Sequence, residues 1–184
     1  ENNVSDLIAG GDGTGSADPS VVGINPDTGV LETAHNNAGI PNTGDNPQVV
    51  DPGVAPYVDS VFILDLQMMP ISSAGVIFEF GLADATGGTY NHIIKDLTHS
   101  IDAGVTDIWA GGINTWIASV GIHASAGITF NLTKLREKYG ELEAFSCFAG
   151  SDQCGGGDVS NYAIVSDGLD VLGSVQVDAI GANT

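Results

Sequence analysis

The stretch YVDSVFILDLQM, residues Tyr57–Met68, decides the fold class of this chain. Apolar side chains alternate with polar ones along it, and Asp59 and Asp65 fall on the polar face. A period of two predicts a strand with one buried face. The apolar face of this strand consists of Val58, Phe62, Leu64 and Leu66.

Five further segments alternate in the same way, with turn-forming residues between them. They are AGVIFEFGL at 74–82, AGITFNL at 126–132, LEAFSCF at 142–148, NYAIVSDG at 161–168 and GSVQVDAIG at 173–181. Twenty-six glycines in 184 residues also favour turns and strands over long helices. The pattern predicts an all-β chain in which two sheets pack face to face as a β-sandwich.

Residues 1–56 differ from the remainder because Gly, Pro, Asn and Asp clusters interrupt every apolar run. Such clusters predict a turn-rich N-terminal arm, packed on or exchanged with a sandwich domain at 57–184. Three short apolar islands in the arm are expected to attach it as edge strands. The islands are DLIAG at 6–10, SVVGI at 20–24 and GVLET at 29–33.

One short helix is predicted just after the strand at 126–132. Leu132, Leu135 and Tyr139 fall on one helical stripe, Asn131 or Thr133 is suited to cap its start, and Gly140 is suited to end it. Three of the four Lys and Arg residues of the chain lie on this helix, namely Lys134, Arg136 and Lys138. Two interpretations remain open: a solvated face that complements the helix dipole, and a contact with another molecule.

The formal net charge of −19, with only four Lys and Arg residues, excludes nucleic acid and anionic membrane surfaces as natural partners. Clustered carboxylates are also typical of chains that meet divalent cations, so calcium is a candidate cofactor. Asp12 and Asp27, each in a glycine-containing turn, are the candidate ligands. No EF-hand spacing accompanies them.

The chain begins at Glu1 without Met, which we interpret as a secreted or cell-surface protein after removal of a signal peptide. No apolar run approaches the roughly 20 residues of a membrane-spanning helix. Cys147 and Cys154 are the only cysteines, and the turn-rich residues between them favour a small disulfide loop in an oxidising compartment.

Three quoted segments carry a resemblance to a known family: YVDSVFILD at 57–65, ISSAGVIFEFGLADATGGTYNHI at 71–93 and GIHASAGITFNLTKLREKYG at 121–140. They resemble the novel carbohydrate-binding module found in large secreted planctomycete proteins. The resemblance implies a galactose-binding-like jelly-roll sandwich and a role in glycan attachment.

The long insertion between the second and third alternating segments contains both tryptophans, and long loops are where binding surfaces usually lie. Aromatic faces stack on sugar rings while nearby amides and imidazoles form hydrogen bonds. The candidate sugar-binding residues are Tyr90, Asn91, His92, Trp109 and Asn114. A core role for Trp109 and Trp116 stays open, because Ile108, Ile113 and Ile117 flank them.

No catalytic pattern stands out. The four histidines are scattered, no nucleophile elbow is present, and the carboxylates lie mostly in turns where water keeps them ionised. We therefore expect a non-enzymatic protein that binds a polysaccharide or another glycan. The alternatives are a structural subunit that assembles head to tail with copies of itself, and a polysaccharide-degrading domain.

Two tripeptides, Asn3-Val4-Ser5 and Asn131-Leu132-Thr133, match the acceptor pattern for N-linked glycans. In a bacterium the pattern would usually have no consequence.

Overall fold

The computed structural model describes residues 3–33, 39–40, 46–64, 68–80, 89–90, 93–95, 120–122, 126–145, 160–166 and 170–177. Within them lie two helices, α1 (Val4–Ile8) and α2 (Leu132–Tyr139). The strands are β1 (Gly23–Ile24), β2 (Leu31–Glu32), β3 (Gly39–Ile40), β4 (Gln48–Val49), β5 (Val58–Ile63), β6 (Met68–Pro70), β7 (Ile77–Glu79), β8 (Thr89–Tyr90), β9 (Ala126–Phe130), β10 (Ser160–Val165) and β11 (Val171–Val177).

The strands form small antiparallel sheets, which confirms the prediction of a β-rich chain. The sheet orders are β1-β2, β3-β8, β4-β5-β9, β6-β7 and β10-β11. By its contacts the chain forms two compact units, Glu1–Asp96 with Ala118–Glu143 and Leu97–Ile117 with Ala144–Thr184. The predicted boundary between residues 56 and 57 stays a prediction.

The central strand of the first unit is β5, which lies between β4 and β9 and is buried on both faces. The alternation in the sequence predicts one buried face, and this expectation is wrong. The register skips Asp59: Val58 pairs with Phe130 and Ser60 pairs with Thr129. This bulge reverses the alternation, because one extra residue on a strand moves the following side chains to the opposite faces.

The bulge places Val58 and Val61 in one hydrophobic cluster and Phe62 and Leu64 in another. Val58 therefore does not share a face with Phe62 and Leu64, contrary to the sequence-based assignment. Ile128 on β9 packs on the same cluster as Val61, its partner in the register.

The first of the two clusters joins the N-terminal arm to the central sheet. Its buried members are Ile8, Ile24, Val50, Ala55, Val58, Val61 and Ile94. Ordering the turn-rich arm costs conformational entropy. Burial of its apolar side chains in this cluster offsets that cost. The islands SVVGI and GVLET contain β1 and β2, which pair with each other in a sheet of their own and not at an edge of the β4-β5-β9 sheet. The island DLIAG is instead mostly helical, in α1.

The second cluster lies between the central sheet and the β6-β7 hairpin, where Met69 packs with Phe62 and Leu64. Two hydroxyls from neighbouring strands, Ser60 Oγ and Thr129 Oγ1, both donate to the carbonyl of Ile71 at the end of β6. These bonds fix the hairpin against the sheet.

The bulge residue Asp59 adds a contact between hairpin and sheet, and within the sheet Gly127 on β9 lies opposite Phe62 on β5. The Asp59 carboxylate accepts from the Ser73 N–H at 2.8 Å and from Ser73 Oγ at 2.5 Å. A Cβ at Gly127 would lie 2.2 Å from the Phe62 ring, so only glycine fits opposite Phe62. The side chain of Asp59 therefore holds the turn of the β6-β7 hairpin against β5.

Most of the described part of the second unit is the β10-β11 hairpin, which has a register irregularity between Ile164 and Val165. Both strands were expected from the sequence. The segment at 142–148 was also expected to be a strand, but residues 142–145 are not a strand and the rest lies outside the described residues. The buried face of this strand was predicted to carry Leu142 and Ala144, but Leu142 is 37% exposed and Ala144 is exposed as well.

Candidate functional site

Helix α2 begins and ends where the sequence predicts. Asn131 caps its start, with the side-chain Oδ1 accepting from the Lys134 N–H at 3.0 Å. Gly140 ends it with a φ of 83°, a conformation that favours glycine. The predicted stripe of Leu132, Leu135 and Tyr139 is partly buried, and the opposite face is exposed. The cations of α2 therefore project from a surface helix.

Lys134 and Lys138 are both paired with carboxylates of the same chain. Lys134 Nζ lies 2.9 Å from Glu137 Oε2, one turn along the helix. Lys138 Nζ lies 3.4 Å from Asp12 Oδ2, across 126 residues of sequence. Each hydrogen bond raises the pKa of its lysine. Because both pairs are exposed to solvent, they contribute modestly to stability and are screened by salt.

Arg136 differs from its two neighbours. It is exposed, and it has no ion-pair partner within the part of the chain that the structure describes. Its guanidinium presents several N–H donors in a planar fork suited to a carboxylate. Of the three predicted assembly-contact residues, Arg136 is therefore the one whose charge is not already engaged by a described carboxylate.

The partner of Lys138 lies in a glycine-rich loop that follows α1, hereafter the 10–18 loop. Asp12 Oδ1 accepts from the Thr14 N–H at 3.1 Å and from Thr14 Oγ1 at 2.5 Å. The hydrogen bonds from Thr14 and Ser16, followed by the one from Lys138, hold the pKa of Asp12 well below its usual range. Both oxygens of this carboxylate thus already accept protein hydrogen bonds.

Asp6 organises the 10–18 loop from inside. Its carboxylate is fully buried and accepts from the Gly13 N–H at 2.6 Å and the Ala17 N–H at 2.7 Å. A Cβ at Gly11 would lie 2.4 Å from this carboxylate, so the loop closes tightly around it. Charge-assisted bonds to backbone amides satisfy the buried carboxylate. The loop that presents Asp12 to Lys138 is therefore held in place by a group beneath it.

Two tyrosines lie beside the Asp12–Lys138 pair. The ring centroids of Tyr57 and Tyr139 are 6.1 Å apart, with an angle of 36° between the rings. The hydroxyl of Tyr139 is buried and has no hydrogen-bond partner within the described residues. Burial raises the pKa of Tyr139. The two rings pack the end of α2 against the start of β5.

The predicted sugar-binding residues fall mostly outside the described residues. This applies to Asn91, His92, Trp109 and Asn114, and of Tyr90 only the backbone is described, paired with Gly39 between β8 and β3. The predicted disulfide between Cys147 and Cys154 also lies outside the described residues. These assignments stay predictions.

The predicted calcium ligands are both described. Asp12 is engaged by Thr14 and Lys138, and Asp27 lies in the turn between β1 and β2, where its N–H donates to Asn25 Oδ1 at 2.9 Å. Within the described ranges, no group of three or more His, Cys, Asp and Glu side chains is arranged to hold a metal ion. Calcium binding stays a prediction.

Sequence reasoning missed Asp6 and the pairing of Asp12 with Lys138. The spacing of Asp6 before a run of glycines was the available signal for the first, because small residues let backbone amides approach a carboxylate. No local signal marks the second, since 126 residues separate the partners.

Comparisons with known proteins give no relative for this chain: no family model, no curated protein and no solved structure matches it. Among the described residues, no helix has the length and apolar character needed to cross a membrane.

Proposed function

We propose that this chain is a non-catalytic secreted or cell-surface protein that binds carbohydrate. The observation that carries the proposal is the pairing of two segments that resemble the carbohydrate-binding module. YVDSVFILD contains β5, GIHASAGITFNLTKLREKYG contains β9, and these strands are neighbours in one antiparallel sheet. The second segment also contains α2, which begins two residues after β9 ends.

We also propose that the strands complete a jelly-roll sandwich of the galactose-binding type. The β6-β7 hairpin packs on one face of the β4-β5-β9 sheet through Met69, Phe62 and Leu64. The opposite face carries the cluster that contains Val58 and Val61. Coverage of both faces supports a layered arrangement with its buried core between sheets.

The proposed sugar-binding surface is the insertion that carries Tyr90, Asn91, His92, Trp109 and Asn114. Its test is a glycan microarray followed by titration calorimetry with the best glycan. Trp109→Ala and Tyr90→Ala should each weaken binding at least tenfold, because stacking on a sugar ring is lost, while the exposed change Thr133→Ala should not. Binding that survives both aromatic changes refutes this surface, and no binding to any glycan refutes the function.

A second candidate function, head-to-tail assembly of a filament, sheath or surface layer, is favoured by exposed Arg136. A cation on a chain of net charge −19 can dock on an acidic face of the next copy. Since Lys134 and Lys138 are engaged within the chain, the contact would depend on Arg136. Arg136→Glu should abolish polymers seen by electron microscopy, whereas Lys134→Glu, with the same change in net charge, should leave them. Equal effects of the two changes would refute this contact.

Calcium and the Cys147–Cys154 disulfide belong to the same extracellular proposal. Calcium at Asp12 would compete with Lys138 for the carboxylate. Melting temperatures in calcium and in chelator, for the wild type and for Asp12→Asn and Asp27→Asn, test the ion. Labelling of free thiols before and after reduction tests the disulfide.

A further inference from the structure

Both tripeptides of the N-glycan acceptor pattern begin with an asparagine that caps a helix. Asn3 caps α1 and Asn131 caps α2, each through its side-chain oxygen. Transfer of a glycan uses the side-chain nitrogen of the asparagine and requires the hydroxyl residue two positions on. The two tripeptides are thus alike in sequence and in local conformation, and they differ in what surrounds them.

The tripeptide at Asn3 is not accessible to a transferase in the folded chain. Ser5 is 1% exposed, and its hydroxyl donates to Asn3 Oδ1 at 2.8 Å. Four of the five residues of α1 are buried, and Ile8 belongs to the cluster that holds the arm to the central sheet. Releasing Ser5 to an enzyme would require α1 to leave the core, at the cost of its buried apolar contacts.

The tripeptide at Asn131 lies on the surface, where a transferase can reach it. Thr133 is exposed, and no residue of α2 is buried. Asn131 Oδ1 caps the helix at Lys134, while the Asn131 N–H donates to the Tyr57 carbonyl at 2.9 Å. The first turn of a surface helix opens locally at low cost, since few contacts are lost. An enzyme can therefore reach both the amide and the hydroxyl without unfolding the sheet.

We propose that Asn131 is an acceptor site for an N-linked glycan in the folded protein, and that Asn3 is not. The donor is a lipid-pyrophosphate-linked oligosaccharide. A bond forms between Asn131 Nδ2 and the anomeric carbon of the first sugar, and the bond from that carbon to the pyrophosphate oxygen breaks. The lipid pyrophosphate leaves with the electron pair, and the displaced amide proton passes to a base of the transferase.

The attached glycan would leave the helix cap in place, because the cap uses Oδ1 and the glycan uses Nδ2. It would stand at the start of α2, on the exposed helix that also carries Arg136. This site is independent of the carbohydrate-binding proposal, since covalent attachment requires no sugar-binding pocket in the chain.

The test incubates the folded full-length chain with a single-subunit oligosaccharyltransferase of N-x-S/T specificity and its lipid-linked oligosaccharide. Synthetic peptides spanning each tripeptide run in parallel and establish that the enzyme accepts both sequences. Peptide mapping by mass spectrometry should show the glycan at Asn131 of the folded chain and none at Asn3. Prior unfolding in urea, followed by dilution into the reaction, should add modification at Asn3.

Two variants locate the site by separate means. Asn131→Gln removes the acceptor, and Thr133→Ala removes the hydroxyl while leaving the Asn131 cap in place; both should abolish the modification of the folded chain. Circular dichroism verifies that each variant is folded. A folded wild-type chain left unmodified at Asn131 while its peptide is modified overturns the proposal. Modification of the folded chain at Asn3 overturns it equally.

Discussion

Replacing Asp6 by Asn should destabilise the first unit. The loss should exceed that from the same change at Asp12 or Asp18, the two carboxylates of the 10–18 loop. Asp6 is fully buried, and its two oxygens accept backbone N–H groups of Gly13 and Ala17 at 2.6 and 2.7 Å. An amide of the same shape offers one acceptor and turns its NH₂ toward the other donor. One charge-assisted bond is lost and one buried N–H is left unsatisfied, for a total of about 2–4 kcal/mol.

Urea denaturation followed by circular dichroism measures this loss as a lower free energy of unfolding. For a chain of this length the same loss lowers the melting temperature by roughly 5–15 °C. Asp18→Asn is the matched control, because Asp18 is exposed and, among the described residues, its carboxylate accepts from Ser20 alone; it should cost less than about 0.5 kcal/mol. Equal unfolding free energies for the two variants would refute the structural role assigned to Asp6.

Three further changes test other parts of the described structure. Tyr139→Phe removes a buried hydroxyl without a described partner while keeping the ring, so the free energy of unfolding should stay within about 0.5 kcal/mol of wild type or rise; a clear loss in urea denaturation would reveal a hydrogen bond. Gly127→Ala places a methyl group against Phe62 and should cost about 1–3 kcal/mol, whereas Gly173→Ala, whose methyl group meets no described atom within 4 Å, should be near neutral. The lowered pKa of Asp12 means that its ionised form stabilises the fold above the usual value of 3.8, and that this contribution is lost as the pH falls through the lower folded value. The melting temperature of Asp12→Asn should therefore lie below wild type at pH 6 and approach it at pH 2, and a gap that widens in acid would contradict the assignment.

Local patterns in the sequence predicted the elements that depend on local chemistry. Helix α2 begins at Asn131 and ends at Gly140 as expected, because capping involves residues within one turn of each other. Strands β5 and β9 appear where alternation predicts them, and Ile128 and Phe130 pack together on one cluster. These features need no knowledge of distant partners.

The failures share a physical origin in long-range contacts. The bulge at Asp59 is fixed by Ser73, fourteen residues away, and a count of alternating residues cannot register it. The island DLIAG is mostly helical because Asp6 is buried beneath the 10–18 loop, where its carboxylate accepts from Gly13 and Ala17. Both outcomes depend on which groups meet in space.

The cations of α2 illustrate the same limit for the candidate site. Their clustering suggested a contact with another molecule, yet Lys138 meets Asp12 of the same chain and Lys134 meets Glu137. A charge pattern indicates where cations lie and does not indicate which carboxylates approach them. Lys138 meets Asp12 because the N-terminal arm packs against α2, and the sequence does not show this packing.

Co-sedimentation of the purified chain with insoluble polysaccharides, with reducing ends counted in the supernatant, tests the carbohydrate-binding proposal most directly. We expect that the chain pellets with at least one polysaccharide, is released by the matching soluble oligosaccharide, and liberates no new reducing ends. A chain that stays in the supernatant with every polysaccharide, or one that liberates reducing ends over time, would contradict it.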